Sequence, residues 1–240
     1  MAGGILARLR KNGFEGPFYS GIPGKARFVI ESTIGRSDLI FTATPQSLAH
    51  HALPAEPDVQ LHLVRDFAGF APFVAEFEAE YYRGYAGSWK APFTWGEQAV
   101  VGTVGGRVAS IAWLQLGTAE GYPTYYGCMF EREARILRVG VVPSFRRQGV
   151  NTVATHRILQ RLFAAGVQRV YIECHKYNVP SIRTFTRVGF TPVGIIRVIE
   201  LPGLRRFVRW TSAESAAAEF RSLGIDYHPS SSHLGTPALP

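Results

Sequence analysis

Along most of the chain, apolar and polar positions alternate in short runs, and helical spacing replaces this pattern in a few places. Residues 136–142 are apolar and β-branched, the pattern of a buried strand, and Pro143, which has no N–H to give to a ladder, ends it. From Thr152 the spacing turns helical: Val153, Ile158, Leu159, Leu162 and Phe163 share one face, and Gly166 closes the helix. Residues 59–64 alternate as a strand, and Phe70, Phe73, Val74, Phe77 and Tyr81 make a helical stripe over 67–82 that is expected in the core. Residues 98–115 predict a hairpin about Gly105-Gly106. Further strands are predicted at 170–174, 192–200 and 204–210, the last two about Pro202-Gly203. Upstream, 27–34 and 38–44 predict two strands about Gly35-Arg36-Ser37, followed by a short helix and linker over 45–57. A helix at 213–223 precedes a tail rich in Pro, Ser and Gly, read as poorly ordered or as a partner-binding extension.

The densest chemistry follows the strand at 136–142. Arg146, Arg147, Gln148 and Gly149 lie between it and the next helix, with Asn151 and Thr152 as candidate N-caps. A helix start offers backbone N–H groups without internal partners and partial positive charge, and two arginines add charge-assisted donors. Such a turn is suited to phosphate. On these residues alone, a capped helix with a solvated basic turn is an equal reading.

Arg146-Arg147-Gln148-Gly149-Val150-Asn151 resembles the R/Q-x-x-G-x-G/A acyl-CoA signature of the GNAT N-acetyltransferase superfamily. Asn151 departs from it, standing where the family has Gly or Ala. A second match follows downstream: the strand at 170–174, then Asn178, Ser181, Phe185 and Gly189-Phe190 in the spacing N-x-x-[AS]-x-x-x-[YF]-x-x-x-G-[FW]. The resemblance covers residues 59–210 and implies an α+β fold. Its central sheet is mixed, mostly antiparallel and twisted, splayed at the acyl-CoA site, with helices on both faces. Three parts are expected: an N-terminal extension at 1–58, the acetyltransferase domain at 59–210, and a C-terminal helix and flexible tail at 211–240. Whether the first part completes the sheet, forms a lobe or mediates oligomerisation stays open.

The resemblance also implies a donor site. Backbone groups of Val139, Gly140 and Val141 would hold the acyl and pantetheine part of acetyl-CoA. Arg146, Arg147, Gln148, Gly149, Val150, Asn151 and Thr152 would hold its phosphates, and Asn178, Ser181 and Phe185 complete the set. The reaction implied is acetyl transfer to a primary amine of a small molecule, amino acid or peptide, by direct attack in a ternary complex. The amine must lose a proton, and the departing thiolate benefits from one. Many family members carry Tyr where Phe185 stands, and Phe cannot donate, so water, Ser181 or Tyr177 takes that role or the thiolate leaves unassisted. Glu173 and His175, which share one face of a strand, and Glu131 and Glu133, before the strand at 136–142, are the candidate bases, with a salt bridge or solvated pair as the plain alternative for the first two. A fold that has lost catalysis and binds a ligand or partner, or a transferase for longer acyl groups, are the other readings.

Composition changes this picture little. Hydrophobic content of 46% and charged content of 18% describe an ordinary globular chain rather than a disordered one. The net charge of +8 suits a phosphate-bearing ligand, and no recognition-helix or aromatic–basic pattern singles out nucleic acid. No apolar run spans a membrane and the first residues lack a signal-peptide core, so a cytoplasmic location is expected. The two cysteines, Cys128 and Cys174, have no metal-ligand spacing, and His50-His51 is a weak pair for a metal, so no metal is expected. The partners expected are the acyl-CoA and an amine acceptor; a homodimer stays open. The loop at 83–94, with Tyr85, Trp89 and Phe93, and Trp95 just after it, is a candidate wall of the acceptor pocket by its place alone.

Overall fold

The computed structural model describes residues 35–51, 57–80, 89–124, 127–199 and 207–225. In chain order they form β1 (Gly35–Ala43), α1 (Pro45–Ala49), β2 (Gln60–Val64), α2 (Phe67–Glu80), α3 (Ala91–Thr94), β3 (Gln98–Val104) and β4 (Arg107–Leu116). Then come β5 (Tyr122–Thr124), β6 (Gly127–Met129), β7 (Glu133–Val141), a 3-10 turn (Pro143–Phe145) and α4 (Val150–Ala164). The order ends with β8 (Arg169–His175), α5 (Val179–Arg187), β9 (Thr191–Ile199), β10 (Phe207–Ser212) and α6 (Ala217–Ser222).

Eight of these strands form one sheet in the order β10-β9-β1-β8-β7-β4-β3-β2. Its pairings are antiparallel except β7 with β8. Helices cover both faces, which gives the mixed, mostly antiparallel α+β architecture expected. On one face Val153, Ile158, Leu159 and Leu162 of α4 and Ile182 and Phe185 of α5 pack with Leu39, Phe41, Ala112, Ile136 and Ile172 of the strands. On the other, Phe70 and Phe77 of α2 pack with Trp89, Val101, Ile111, Trp113 and Leu137. The aromatic stripe of α2 is thus core: the Phe70 ring lies 5.6 Å from that of Trp113. Gly105 and Gly106, at φ of 57° and 79°, make the two-residue turn between β3 and β4 that only residues tolerant of positive φ can make.

The N-terminal strand is interior. β1 pairs with β8 (Asp38 opposite His175, Phe41 opposite Ile172) and with β9 on its other edge. Gly35-Arg36-Ser37, read from sequence as a turn, instead begins β1 and pairs with Ile199, Val198 and Arg197. The sheet therefore draws on residues before 59. Leu39 and Phe41 point into the α4 side and Ile40 into a cluster with Ile196 and Val198, so the alternation of a two-faced strand is met. α1 is held by a capping box: the Ser47 N–H donates to Thr44 Oγ1 (3.2 Å) and the Thr44 N–H to Ser47 Oγ (2.9 Å). The sequence missed the hairpin β5–β6, whose three-residue strands are too short to show a period. The earlier strand predicted at 27–34, the turn at Pro202-Gly203, Tyr81, Tyr85 and the tail from 226 lie outside the described residues. Among the described residues, no helix is long and apolar enough to cross a membrane, and no cluster of three His, Cys, Asp or Glu is placed to hold a metal ion.

Candidate functional site

β7 is where the sheet opens. Against β4, Leu137 faces Trp113 but Gly140 faces Ile111, so one extra residue is accommodated at Arg138-Val139. Arg138 has φ of 46°, rare for a side chain with a Cβ, and such a bulge bends its strand. On the other edge, pairing with β8 stops at Ile136–Ile172, although β8 stays paired with β1 through Glu173, Cys174 and His175. Residues 137–141 of β7 therefore run beside an opening roughly 16 Å long, at about 3.3 Å of rise per residue. Two groups fasten the bulge. The Arg138 guanidinium ion-pairs with the buried Glu97 carboxylate and lies 5.4 Å from the centroid of Trp113.

The basic turn stands at the open end. Arg146 Nε–H donates to the Val141 carbonyl (3.2 Å), and Gln148 Nε2–H to the Ser144 carbonyl (2.7 Å). Arg107 stacks over Phe145, 5.3 Å from its centroid. Arg147 and Gly149 both have positive φ, 62° and 80°. Gly149 is the N-cap of α4, and the first bond of the helical ladder runs from the Val153 N–H to its carbonyl (3.0 Å). The N–H groups of Val150, Asn151 and Thr152 precede that ladder and emerge from the helix start. The helix thus begins at Val150, ahead of both candidate caps. Asn151 lies in its first turn, where Oδ1 accepts from the Thr155 hydroxyl (3.3 Å), and Thr152 is buried there. A left-handed glycine ends the turn by backbone geometry, so no side-chain cap is made.

Across the opening, Val170, Ile172 and Cys174 of β8 face the α4 core, and alternation turns Glu173 and His175 to the other face. Glu173 Oε1 is engaged by Arg135 of β7 in a buried ion pair. His175 Nδ1 accepts from the Tyr177 N–H (3.4 Å), which in the neutral ring leaves the proton on Nε2. The two rings are tilted with centroids 5.4 Å apart, and the Lys176 ammonium lies 5.0 Å from the Tyr177 centroid. Burial pushes the Cys174 thiol well above its ordinary value, helped by the nearby Asp38 and Glu173 charges, so it is a packing group rather than a nucleophile. Burial likewise raises the Tyr171 hydroxyl.

Asn178 caps α5: its Oδ1 accepts from the Ser181 N–H (3.3 Å), and its own N–H donates to the His175 carbonyl (2.8 Å). Asn178 and Ser181 are thereby tied to the end of β8. Phe185 is only 3% exposed and packs between Phe41 (centroids 5.8 Å apart) and Phe190 (5.9 Å), as a core residue. Of the loop aromatics, Trp89 is buried against Phe70 and Phe77, Phe93 meets Trp113 edge to face at 5.0 Å, and Trp95 is exposed. Sequence reasoning assigned no role to Arg135, Arg138 and Glu97. The signal was available in part, because Arg135 and Arg138 interrupt an apolar strand, and a charge there needs a partner.

The profile of the acetyltransferase (GNAT) family matches residues 53–190, more than half of the chain. No curated protein matches. Among solved structures, a GCN5-related N-acetyltransferase from Kribbella flavida is 18% identical over 71% of this chain and 60% of its own, with a TM-score of 0.43. A GNAT-family acetyltransferase from Colwellia psychrerythraea is 14% identical over 78% of this chain and 61% of its own, with a TM-score of 0.48. This chain thus spans about three fifths of the length of these two structures. On the match to its profile, the chain belongs to the acetyltransferase (GNAT) family.

Proposed function

We propose that the protein is an acyl-CoA-dependent N-acetyltransferase, which moves the acetyl group of acetyl-CoA to a primary amine of a small molecule, amino acid or peptide within a ternary complex. The family uses acetyl-CoA as co-substrate. The observation that carries the reading is the opening between β7 and β8, with a basic helix start at its mouth. In this reading the phosphates rest on Arg146, Arg147, Gln148 and the N–H groups of Gly149 to Thr152. The pantetheine arm lies along Val139, Gly140 and Val141, pairing with a strand edge that β8 has left. Asn178 keeps its amide N–H donors for the arm, since its oxygen already caps α5.

Attack by the neutral amine forms the C–N bond and a tetrahedral oxyanion, for which backbone N–H groups of the open strand are the donors. Collapse breaks the C–S bond and releases CoA as the thiolate. The candidates to take the amine proton are Glu173 and His175, and those to return one to sulfur are Tyr177 and Ser181, directly or through water. Arg135 occupies Glu173 Oε1, which makes Glu173 the less available base. Phe185 has no part in the proton transfers.

Calorimetric titration with acetyl-CoA and with CoA tests the donor site, and thiol release with a panel of primary amines tests turnover. Micromolar binding and amine-dependent release of CoA are expected. A folded protein that binds neither nucleotide would refute the proposal.

A further inference from the structure

We infer that Arg135 and Glu173 set the depth of the acyl slot and confine the donor to short acyl groups; this rests on the acyl-CoA reading of the opening. The last paired rung of β7 and β8 is Ile136 with Ile172, and the rung before it is Arg135 with Tyr171. Glu173 is the first residue of β8 beyond the branch point. The ion pair therefore runs diagonally across the apex, from the closed part of β7 to the open part of β8. Arg135 is buried, at 7% exposure, and Glu173 mostly so, at 13%.

Behind this clip the same region stays polar. Glu133 Oε1 accepts from Arg169 (3.2 Å) and from the Tyr171 hydroxyl (3.1 Å), and Arg169 donates to the Tyr171 oxygen (3.3 Å). These bonds tie β7 to β8 one turn of the pleat below the apex. Gln115 of β4 stands directly opposite Arg135 and is 5% exposed, with no hydrogen-bond partner for its Oε1 among the described residues. A donor whose phosphates sit on the basic turn points its acyl end towards this apex. An acetyl group stops short of it. Each added methylene is pushed against a buried ion pair and a polar layer, and disturbs groups that need their partners.

The test is an affinity and turnover series with acetyl-, propionyl-, butyryl- and hexanoyl-CoA on the full chain. Wild type should lose at least tenfold in kcat/KM and in affinity between acetyl and hexanoyl. In an Arg135→Met/Glu173→Leu double variant that ratio should shrink severalfold, because apolar side chains of similar volume replace the pair; such replacements of buried pairs are commonly tolerated by the fold. Glu173→Gln, which keeps an oxygen for Arg135, should preserve the wild-type ratio. A purely structural pair would leave the ratio unchanged in all variants. Wild type that accepts hexanoyl-CoA as well as acetyl-CoA overturns the inference alone, and it does so even where the double variant fails to fold. Wild type that binds no acyl-CoA overturns the donor-site reading and this inference together.

Discussion

Phe41 of β1 meets Phe185 of α5 edge to face, with ring centroids 5.8 Å apart and planes at 70°. The contact joins the N-terminal strand to the helix that follows β8, at the position where many relatives of this fold carry a tyrosine. It makes Phe185 a stability residue first. Phe185→Ala should cost about 3–5 kcal/mol in urea unfolding. Phe185→Tyr should cost less, about 1–3 kcal/mol, because its hydroxyl is buried without an assured partner. Higher turnover in Phe185→Tyr at unchanged stability would instead put the ring in the slot.

Arg147 combines a positive φ with an exposed cationic side chain in the turn before α4, and the two can be separated. Arg147→Gly keeps the backbone comfortable and removes the charge, so stability should hold while CoA affinity falls by tenfold or more. Arg147→Glu should weaken CoA binding further, and raising the salt concentration should narrow the gap between variants. Calorimetry at two ionic strengths checks this. Unchanged affinity in both variants would remove Arg147 from the phosphate site.

Arg138 permits a parallel experiment on the bulge. Arg138→Gly retains the left-handed backbone, whereas Arg138→Val forces a β-branched residue into it, at an expected additional cost of about 1–2 kcal/mol. The valine variant should also bind acetyl-CoA more weakly than the glycine variant, since Val139 belongs to the bulge and Gly140 follows it directly. Thermal melts and titrations of the two proteins side by side decide it. Equal behaviour would mean that the bulge is not needed to open the strand.

His156 of α4 is buried, and its Nε2–H donates to the His51 carbonyl (3.2 Å). Burial lowers its proton affinity below the ordinary histidine value near 6.5. The unfolded chain then binds the proton more readily than the folded one, so this group lowers stability as the pH falls from about 6.5 through the depressed folded value. Above about 6.5 it has no such effect. Urea midpoints from pH 7.5 down to 5 should drop, and His156→Gln should flatten that slope. A steeper slope in the variant would contradict the assignment.

How much of this could be read beforehand depends on how local the cause is. The strand 136–142, the helix after it and the glycine hairpin are written in short-range periodicity and turn chemistry, and the structure has them within a few residues. The basic turn before α4 was legible because its spacing is contiguous. Its cap was not, because a left-handed Gly149 does by backbone what Asn151 or Thr152 would do by side chain. The seat of β1 was illegible for a different reason. Its two neighbours come from residues 169–175 and 191–199, and nothing in 35–43 names them. Glu173 shows the same limit: its face was predictable, but the Arg135 beside it depends on strands meeting in one particular register.

The seat of β1 also orders the assembly of the protein. This strand leaves the ribosome before β8 and β9 exist, yet its hydrogen bonds in the sheet are all to them. It must wait, with both edges bare, while more than a hundred residues are synthesised. Such long-separation pairing is slow and exposes strand edges meanwhile. The β8 wall of the opening, which β1 backs, can therefore be completed only once β1, β8 and β9 have come together.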